Sequence, residues 1–276
     1  MRAFGEPESD RTPGGPILVV FTLTFPRALM RWVLLFLLPI LVLFTACEQN
    51  QTLPSVTDDQ SFENDTRLIQ QADRARMYGT DTTRVTIDEY VDYACPDCAA
   101  FHTERMDSLR ALFIDTGRVN FVVRFYPIPR LMRGYHAAEA ALCAGGFGGR
   151  SAFEGMQRQL LQEQATWRQL HDPRGQFVTY AETLGLPLDA FADCMERSAM
   201  APLILGDLQL AQQAQVEGTP TFVYNVPGPY QGLVSFYGNQ PMAQFQEALQ
   251  VAWDALESDP SLEDTGTAQV GPTPNR

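Results

Sequence analysis

The sequence predicts an α/β protein with a split core: strand–helix–strand, then a block of helices, then strand–strand–helix. Three observations predict it. Two β-branched and aromatic runs flank a single amphipathic stretch early in the chain. The long middle segment, 134–216, carries no comparable strand signal. Two further apolar runs and a last amphipathic stretch close the pattern, and 276 residues suffice to bury a substantial core.

Taken in order, residues 62–77 read as an amphipathic helix, with Leu68, Ile69, Ala72, Ala75 and Arg76 near helical spacing. Arg84 to Tyr93 (RVTIDEYVDY) reads as a strand, 96–114 as a helix with Phe101, Met106, Leu109, Leu112 and Phe113 on its apolar face, and Val119 to Tyr126 as a second strand. Two strands joined by a helix of that length should form a right-handed parallel crossover. Helices are expected at about 134–144, 151–165, 175–184, 188–199 and 202–216, with Gly145 to Gly149 as a helix break. That glycine run lacks the spacing and the following lysine of a phosphate loop. Thr221 to Val226 and Leu233 to Tyr237 flank Pro227-Gly228-Pro229 as a hairpin-like pair. The closing helix carries Phe245, Leu249, Ala252, Trp253 and Leu256 on one stripe, and residues 258–276 offer almost nothing to bury.

Composition excludes some chemistries. The chain holds 33 acidic and 20 basic side chains, a net charge of −13, which argues against nucleic acid as a partner. Every basic residue is arginine, so Schiff-base chemistry on a lysine is ruled out.

The N-terminal segment reads as a targeting signal. Arg27 and Arg31 precede the apolar run Trp32 to Phe44, and Thr45-Ala46-Cys47 follows. LFTAC resembles a bacterial lipobox, with Phe44 where leucine is usual, and makes Cys47 the candidate lipidated residue after removal of 1–46. Met30 opens a compact signal peptide and is an alternative start; an uncleaved short anchor over 32–44 is the competing reading. Residues 47–61 (CEQNQTLPSVTDDQS) are then a lipidated cysteine and polar tether. Either reading places the rest of the chain outside the cytoplasm at a membrane, where paired thiols persist. Which membrane is left open. Setting Cys47 aside leaves Cys95, Cys98, Cys143 and Cys194, two pairs.

Cys95-Pro96-Asp97-Cys98 follows a strand and opens a helix. Cysteines three apart at a helix start lie on one side of it, within the range a disulfide permits. The free N–H groups and positive helix end favour a thiolate at the first cysteine, and Pro96 gives up no needed hydrogen bond there. Cys95 is therefore the candidate nucleophile and Cys98 the resolving thiol. A zinc site would have to borrow His102, Cys143 or Cys194, and a purely structural disulfide would close too short a loop to stabilise much.

The run RVTIDEYVDYACPDCAAFHTE, the strand from Gly117-Arg118-Val119 onward, the helical block and Glu217-Gly218-Thr219-Pro220-Thr221-Phe222 together resemble the DsbA family of thiol:disulfide oxidoreductases. The resemblance spans 62–257 and implies a thioredoxin fold interrupted by a helical domain at about 134–216. It implies disulfide exchange with thiol-containing exported proteins, a membrane partner that resets the cysteines, and no cofactor or metal. It makes Cys95 the attacking cysteine and Cys98 its partner, and Pro220 the cis-proline beside them. The backbone of Thr219 would then pair with extended substrate; the bland alternative for Thr-Pro-Thr-Phe is a simple strand entry. Glu89 matches a buried acidic residue of the family that could accept a proton from Cys98 through water, against an exposed strand carboxylate on its own terms; Asp88 and Asp92 are expected to be solvated.

Asp97 departs from the Cys-Pro-His-Cys motif of the strongest oxidants. Its carboxylate should raise the Cys95 pKa relative to theirs and make the disulfide less oxidising. His102 shares a helix face with Cys98 but reads first as a surface or half-buried position, and His136 and His171 have no partner pattern. Similar family members carry at Cys143 and Cys194 either a second disulfide or buried free thiols; here the disulfide is favoured. A reductase or isomerase role, and a redox-silent peptide-binding module, stay open as alternatives.

Overall fold

The computed structural model describes residues 57–80, 83–128, 132–227 and 232–258. The expectations for the signal segment 1–46, for Cys47 and for residues 259–276 fall outside that range.

Helix α1 (Thr57–Ala75) leads into a two-residue strand β1 (Met77–Tyr78). It begins five residues ahead of the expected start, inside the stretch read as tether. No proline or glycine occurs between Pro54 and Gly79, so nothing in the local chain stops the helix from extending back to Thr57. β1 was not foreseen, because Met77 and Tyr78 continue the apolar spacing of the helix. Then come β2 (Thr86–Val91), α2 (Pro96–Glu104), α3 (Met106–Leu109), a π-helical turn (Arg110–Ile114) and β3 (Asn120–Phe125). The expected single helix 96–114 is thus broken at Arg105, whose φ of −129° lies outside the helical region.

The middle block holds α4 (Met132–Gln162), α5 (Gln164–Trp167), α6 (Arg174–Thr183), α7 (Leu188–Glu196) and α8 (Ala201–Gln213). β4 (Thr221–Asn225), β5 (Val234–Tyr237) and α9 (Met242–Ser258) complete the chain. The glycine run does interrupt the helix as expected, but at its last residue: two helical stretches meet at a kink at Gly149. Only Gly149 is non-helical, at φ 66°, while Gly145 and Gly146 lie inside α4 where α1 crosses it. A Cβ on Gly146 would come within 2.7 Å of Leu68 Cδ1, so the absent side chain is what lets the helices touch.

The five strands are ordered β1-β3-β2-β4-β5. β2 and β3 run parallel, as the crossover requires, and the other neighbouring pairs are antiparallel. Pleating assigns alternate residues to opposite faces. On one face Ile87, Glu89 and Val91 line up with Phe121, Val123 and Phe125, and Glu89 is in register with Phe222 and through it with Phe236. α2 and α9 cover this face: Phe101, Phe222, Phe236 and Phe245 form an aromatic cluster with centroids 4.6–5.7 Å apart.

The other face lies against α8 and the chain after it, where Tyr90 and Val223 pack with Ala211 and Val216. Its polar residues are tied together. Asp207 of α8 accepts from the Arg76 guanidinium, from Arg124 (3.4 Å) and from the Phe125 N–H (2.8 Å). Arg124 in turn donates to Asp88 at 3.1 Å, and Asn225 donates to the second Asp88 oxygen at 2.8 Å. Asp88 and Asp92 are therefore buried, not solvated. The expectation failed at Asp88 because β2 is a central strand covered on both sides, and at Asp92, just beyond β2, because its carboxylate turns inward to accept backbone N–H groups. Burial raises the carboxyl pKa of Asp88 against the lowering pull of Arg124.

In the helical block Cys143 of α4 and Cys194 of α7 are joined, with Cα atoms 6.2 Å apart. Trp167 is fully buried, donates to Leu160 O at 2.6 Å and meets Phe177 edge-on.

Candidate active site

The site sits where β2 ends and α2 begins. Cys95 is the N-cap residue of α2, with extended backbone (φ −83°, ψ 125°), and Pro96 occupies the first helical turn. The turn before it is held from three sides. Asp92 accepts the Cys95 N–H on its carbonyl (2.8 Å) and the Ala94 N–H on its carboxylate (2.8 Å). The second carboxylate oxygen accepts Ile128 N–H at 3.0 Å, which fastens the loop after β3 to the same residue. Burial raises the Asp92 pKa, and those two backbone donors oppose the rise. From α5, Gln164 Nε2 donates to Tyr93 O (2.7 Å) and to Cys95 O (2.9 Å).

Both active-site candidates are free thiols, Cys95 half-buried and Cys98 fully buried. The Cys95 thiol is 3.2 Å from the carbonyl of Thr219, whose peptide bond to Pro220 is cis. Thr219 and Pro220 are themselves buried, and the Thr219 hydroxyl has no hydrogen-bond partner.

The two thiols are pushed apart in acidity. Cys95 is lowered from 9.0 to about 6, first by the hydrogen bond that Cys98 offers its sulfur, then by Thr219 and by the backbone N–H groups of Cys98 and Asp97, all against the opposing effect of burial. Cys98 is pushed up, first by burial and then by giving that hydrogen bond and by the charges of Cys95 and Glu89. Asp97 is exposed and acts on Cys95 through its backbone N–H.

Glu89 is fully buried beneath α2, and both of its oxygens lie against His102 Nε2, at 2.9 and 3.1 Å. Thus Cys95, Cys98, Thr219, Pro220 and Glu89 converge at one end of the sheet. Cys143 and Cys194 lie apart in the helical block, and Cys47 falls outside the described residues. Among the described residues no group of three or more His, Cys, Asp or Glu side chains is placed to hold a metal ion.

A family model described as thioredoxin matches residues 71–227. The chain belongs to the thioredoxin family. The thioredoxin-family chain is 24% identical over 154 residues to RP025 of Rickettsia prowazekii, a protein named provisionally as a protein-disulfide oxidoreductase, and the match covers 55% of each. It is 33% identical over 165 residues to Na(+)/H(+) antiporter NhaA 3 of Salinispora tropica, covering 57% of this chain and 23% of the antiporter. It therefore spans about a quarter to a half of the length of these relatives.

Among solved structures, alpha-DsbA1 of Wolbachia pipientis superposes with a TM-score of 0.57 at 20% identity, over 66% of this chain and 93% of that one. Oxidised BdbD of Bacillus subtilis gives 0.56 at 19% identity, over 65% and 92%. The likeness shows a thioredoxin fold with an inserted helical domain, as the motifs implied.

Three site residues of this thioredoxin-family protein were not legible beforehand. Gln164 reaches the active-site turn from the inserted helices, and no local motif marks it. Tyr93 is fully buried with an unpartnered hydroxyl. His102 sits four residues beyond Cys98, and that spacing was the signal, but its partner lay thirteen residues upstream on a strand. His136, given no partner from sequence, lies 3.4 Å from Glu139.

Proposed function

We propose that the protein is an extracytoplasmic thiol:disulfide oxidoreductase that exchanges disulfides with exported proteins through Cys95 and Cys98. The observation that carries the reading is the asymmetry of the pair. A half-buried Cys95 with its pKa lowered to about 6 stands at a helix N-terminus, in front of a fully buried Cys98 whose pKa is raised. Such a pair attacks and leaves through its outer sulfur and resolves through its inner one.

In the oxidising direction a substrate thiolate attacks Cys95 Sγ. The Cys95–Cys98 bond breaks, a substrate–Cys95 disulfide forms, and Cys98 departs with the electron pair. A second substrate thiolate then attacks the substrate sulfur, releasing an oxidised substrate and the Cys95 thiolate. The backbone of Thr219, beside the Cys95 thiol, offers an extended substrate a main-chain partner. A stabilised Cys95 thiolate favours the reduced enzyme, so its disulfide is oxidising and this direction is preferred over reduction or isomerisation. A membrane electron acceptor would restore the disulfide. Cys47, lipidated, would hold the domain at the membrane surface, and the name of the Rickettsia prowazekii relative agrees with the activity.

The test is substitution of each sulfur. Cys95→Ser should abolish oxidation of a reduced, unfolded client, whereas Cys98→Ser given a disulfide-bonded client should attack it through Cys95, release the client's other sulfur as a thiolate and accumulate a mixed disulfide that intact-mass measurement detects. Full activity of Cys95→Ser would defeat the proposal. Loss of membrane association on Cys47→Ala tests the anchor separately.

A further inference from the structure

An open pocket of about 440 Å³ lies at the end of the sheet opposite the cysteines. Its walls include Arg84 and Val85 ahead of β2, Arg118 ahead of β3, and Trp253, Leu256 and Glu257 of α9. β2 starts here and ends at the active-site turn, so its six residues put about 20 Å of strand between the two places.

Two chain segments meet at the pocket in a fixed register. The Asn120 N–H donates to Val85 O at 2.8 Å, and the Thr83 hydroxyl donates to Arg118 O at 3.0 Å. These bonds continue outward the parallel pairing of Thr86 with Asn120, so Arg84 and Arg118 leave neighbouring backbones. Both side chains are half-buried. The Arg118 guanidinium lies 5.4 Å from the Phe113 ring and 4.9 Å from the Trp253 ring, contacts that hold it without using its N–H groups. Arg84 Nη2 is shut off from solvent and has no hydrogen-bond partner.

The chain carries 33 acidic side chains, yet among the described residues neither arginine forms an ion pair. The guanidinium groups on the other side of the sheet are paired: Arg76 with Asp73 and Asp207, and Arg124 with Asp88 and Asp207. A buried charged donor without an acceptor is unfavourable, and two like charges on adjacent segments repel. An anion between Arg84 and Arg118 would relieve both.

We propose that this pocket binds a phosphate ester, its phosphate held between Arg84 and Arg118 and its carbon skeleton against Val85, Trp253 and Leu256. A planar carboxylate presents one edge and satisfies one guanidinium fork. A tetrahedral phosphate presents oxygens in several directions and satisfies two. A monoester carries a charge of about −1.5 to −2 near neutrality, which matches two arginines. The phosphate of an anionic phospholipid presents similar oxygens with a single charge. No bond is made or broken here: the site acts by holding the domain to a phosphate-bearing molecule, independently of the cysteines.

The test titrates the full chain with phenyl phosphate, inorganic phosphate and benzoate, by calorimetry at constant ionic strength. Phenyl phosphate should bind most tightly, because inorganic phosphate lacks the carbon skeleton and benzoate the second set of oxygens. Arg84→Gln and Arg118→Gln should each weaken phenyl phosphate about ten-fold, through loss of one charge-assisted contact. Arg118→Lys keeps the charge without the fork and should lose less. Arg67→Gln, at an exposed position on α1, should change nothing. Every variant should keep the wild-type alkylation profile of Cys95, which reports an intact fold.

Vesicles separate the two sources of phosphate. The full chain with Cys47→Ala, which removes any acyl anchor, is sedimented with phosphatidylcholine vesicles with and without phosphatidylglycerol. Binding that needs both phosphatidylglycerol and the two arginines assigns a lipid headgroup; phenyl phosphate binding without it assigns a soluble ester. If the wild type binds neither phenyl phosphate nor these vesicles, the proposal is overturned. It is overturned equally if both glutamine variants retain full binding, or if benzoate binds as tightly as phenyl phosphate.

Discussion

The Cys95 sulfur and the Thr219 carbonyl oxygen lie 3.2 Å apart although 124 residues separate them in the chain. The contact joins the first half of the split sheet, through the turn after β2, to the second half, at the entry to β4. In its neutral form the thiol donates to that carbonyl. Once ionised, the sulfur can only accept, and its acceptor role is served by the Cys98 thiol and by backbone N–H groups at the start of α2.

That arrangement fixes a pH profile. Cys95 is lowered to about 6, so its alkylation by iodoacetamide should rise through an inflection near pH 6. Cys98, buried and raised, should stay unmodified in the folded dithiol form throughout. The sign for stability follows from the lowered folded-state value. Relative to Cys95→Ala, the reduced protein should gain its full advantage above about pH 9, where an unfolded thiol ionises, and lose it as pH falls through 6. Thermal melts of the two reduced proteins between pH 5 and 9 check both limits; an advantage growing toward acid pH would contradict the assignment.

The Thr219 side chain helps lower the Cys95 pKa, and its buried hydroxyl has no other hydrogen-bond partner. Thr219→Val keeps the shape and removes that donor. Hydrogen bonds to charged groups are worth about 1.5–3 kcal/mol and partial exposure reduces this, so the Cys95 inflection should move up by about one pH unit. Thiolate absorbance at 240 nm reads the shift directly.

Much of this site was legible because it is built from local signals. Cys-Pro-Asp-Cys follows a β-branched run and opens a helix, and that alone orders the two thiols. Pro220 and Thr219 became meaningful only through the pairing of distant motifs, since Thr-Pro-Thr-Phe is otherwise an ordinary strand entry. The polar residues of β2 were misjudged for a different reason. Alternation says which residues share a face, but not whether a later helix covers it. Asp207, which lies more than a hundred residues after Asp88, is what turns that face into an interior. Likewise the glycine run announces the break found at Gly149, but not that Gly145 and Gly146 lack side chains where α1 and α4 touch.

Asp207 is accordingly the sharpest test of the packing between α8 and the sheet. It accepts from Arg76, Arg124 and the Phe125 N–H, and both its own side chain and that of Arg76 are nearly fully buried. Asp207→Ala leaves the buried Arg76 guanidinium with Asp73 (2.7 Å) as its remaining acidic partner and the Phe125 N–H without its acceptor. Removing one member of a buried pair costs about 3–5 kcal/mol, and urea unfolding should register a loss of that order. Asp88 remains near Arg124 and softens the effect there, so Asp88→Ala should cost less than Asp207→Ala.

The Cys143–Cys194 bridge clamps α4 to α7 across a sequence separation of 51. In the chain-entropy model a loop of that size restrains the unfolded state by roughly 4 kcal/mol, an upper figure because unfolded chains retain some structure. The double variant Cys143→Ala, Cys194→Ala should therefore unfold at clearly lower urea concentration while leaving the Cys95 alkylation profile in place, because these cysteines sit in the helical block and not among the groups that set the Cys95 thiolate. Thiol counting separates the two pairs. Mild reduction of the folded protein should expose only Cys95 to alkylation. Reduction under denaturing conditions should add Cys98, Cys143 and Cys194 together. If Cys143 or Cys194 is alkylated in the unreduced, denatured protein, the bridge is not formed, and the double variant should then lose no more stability than two buried methylene-scale truncations would remove.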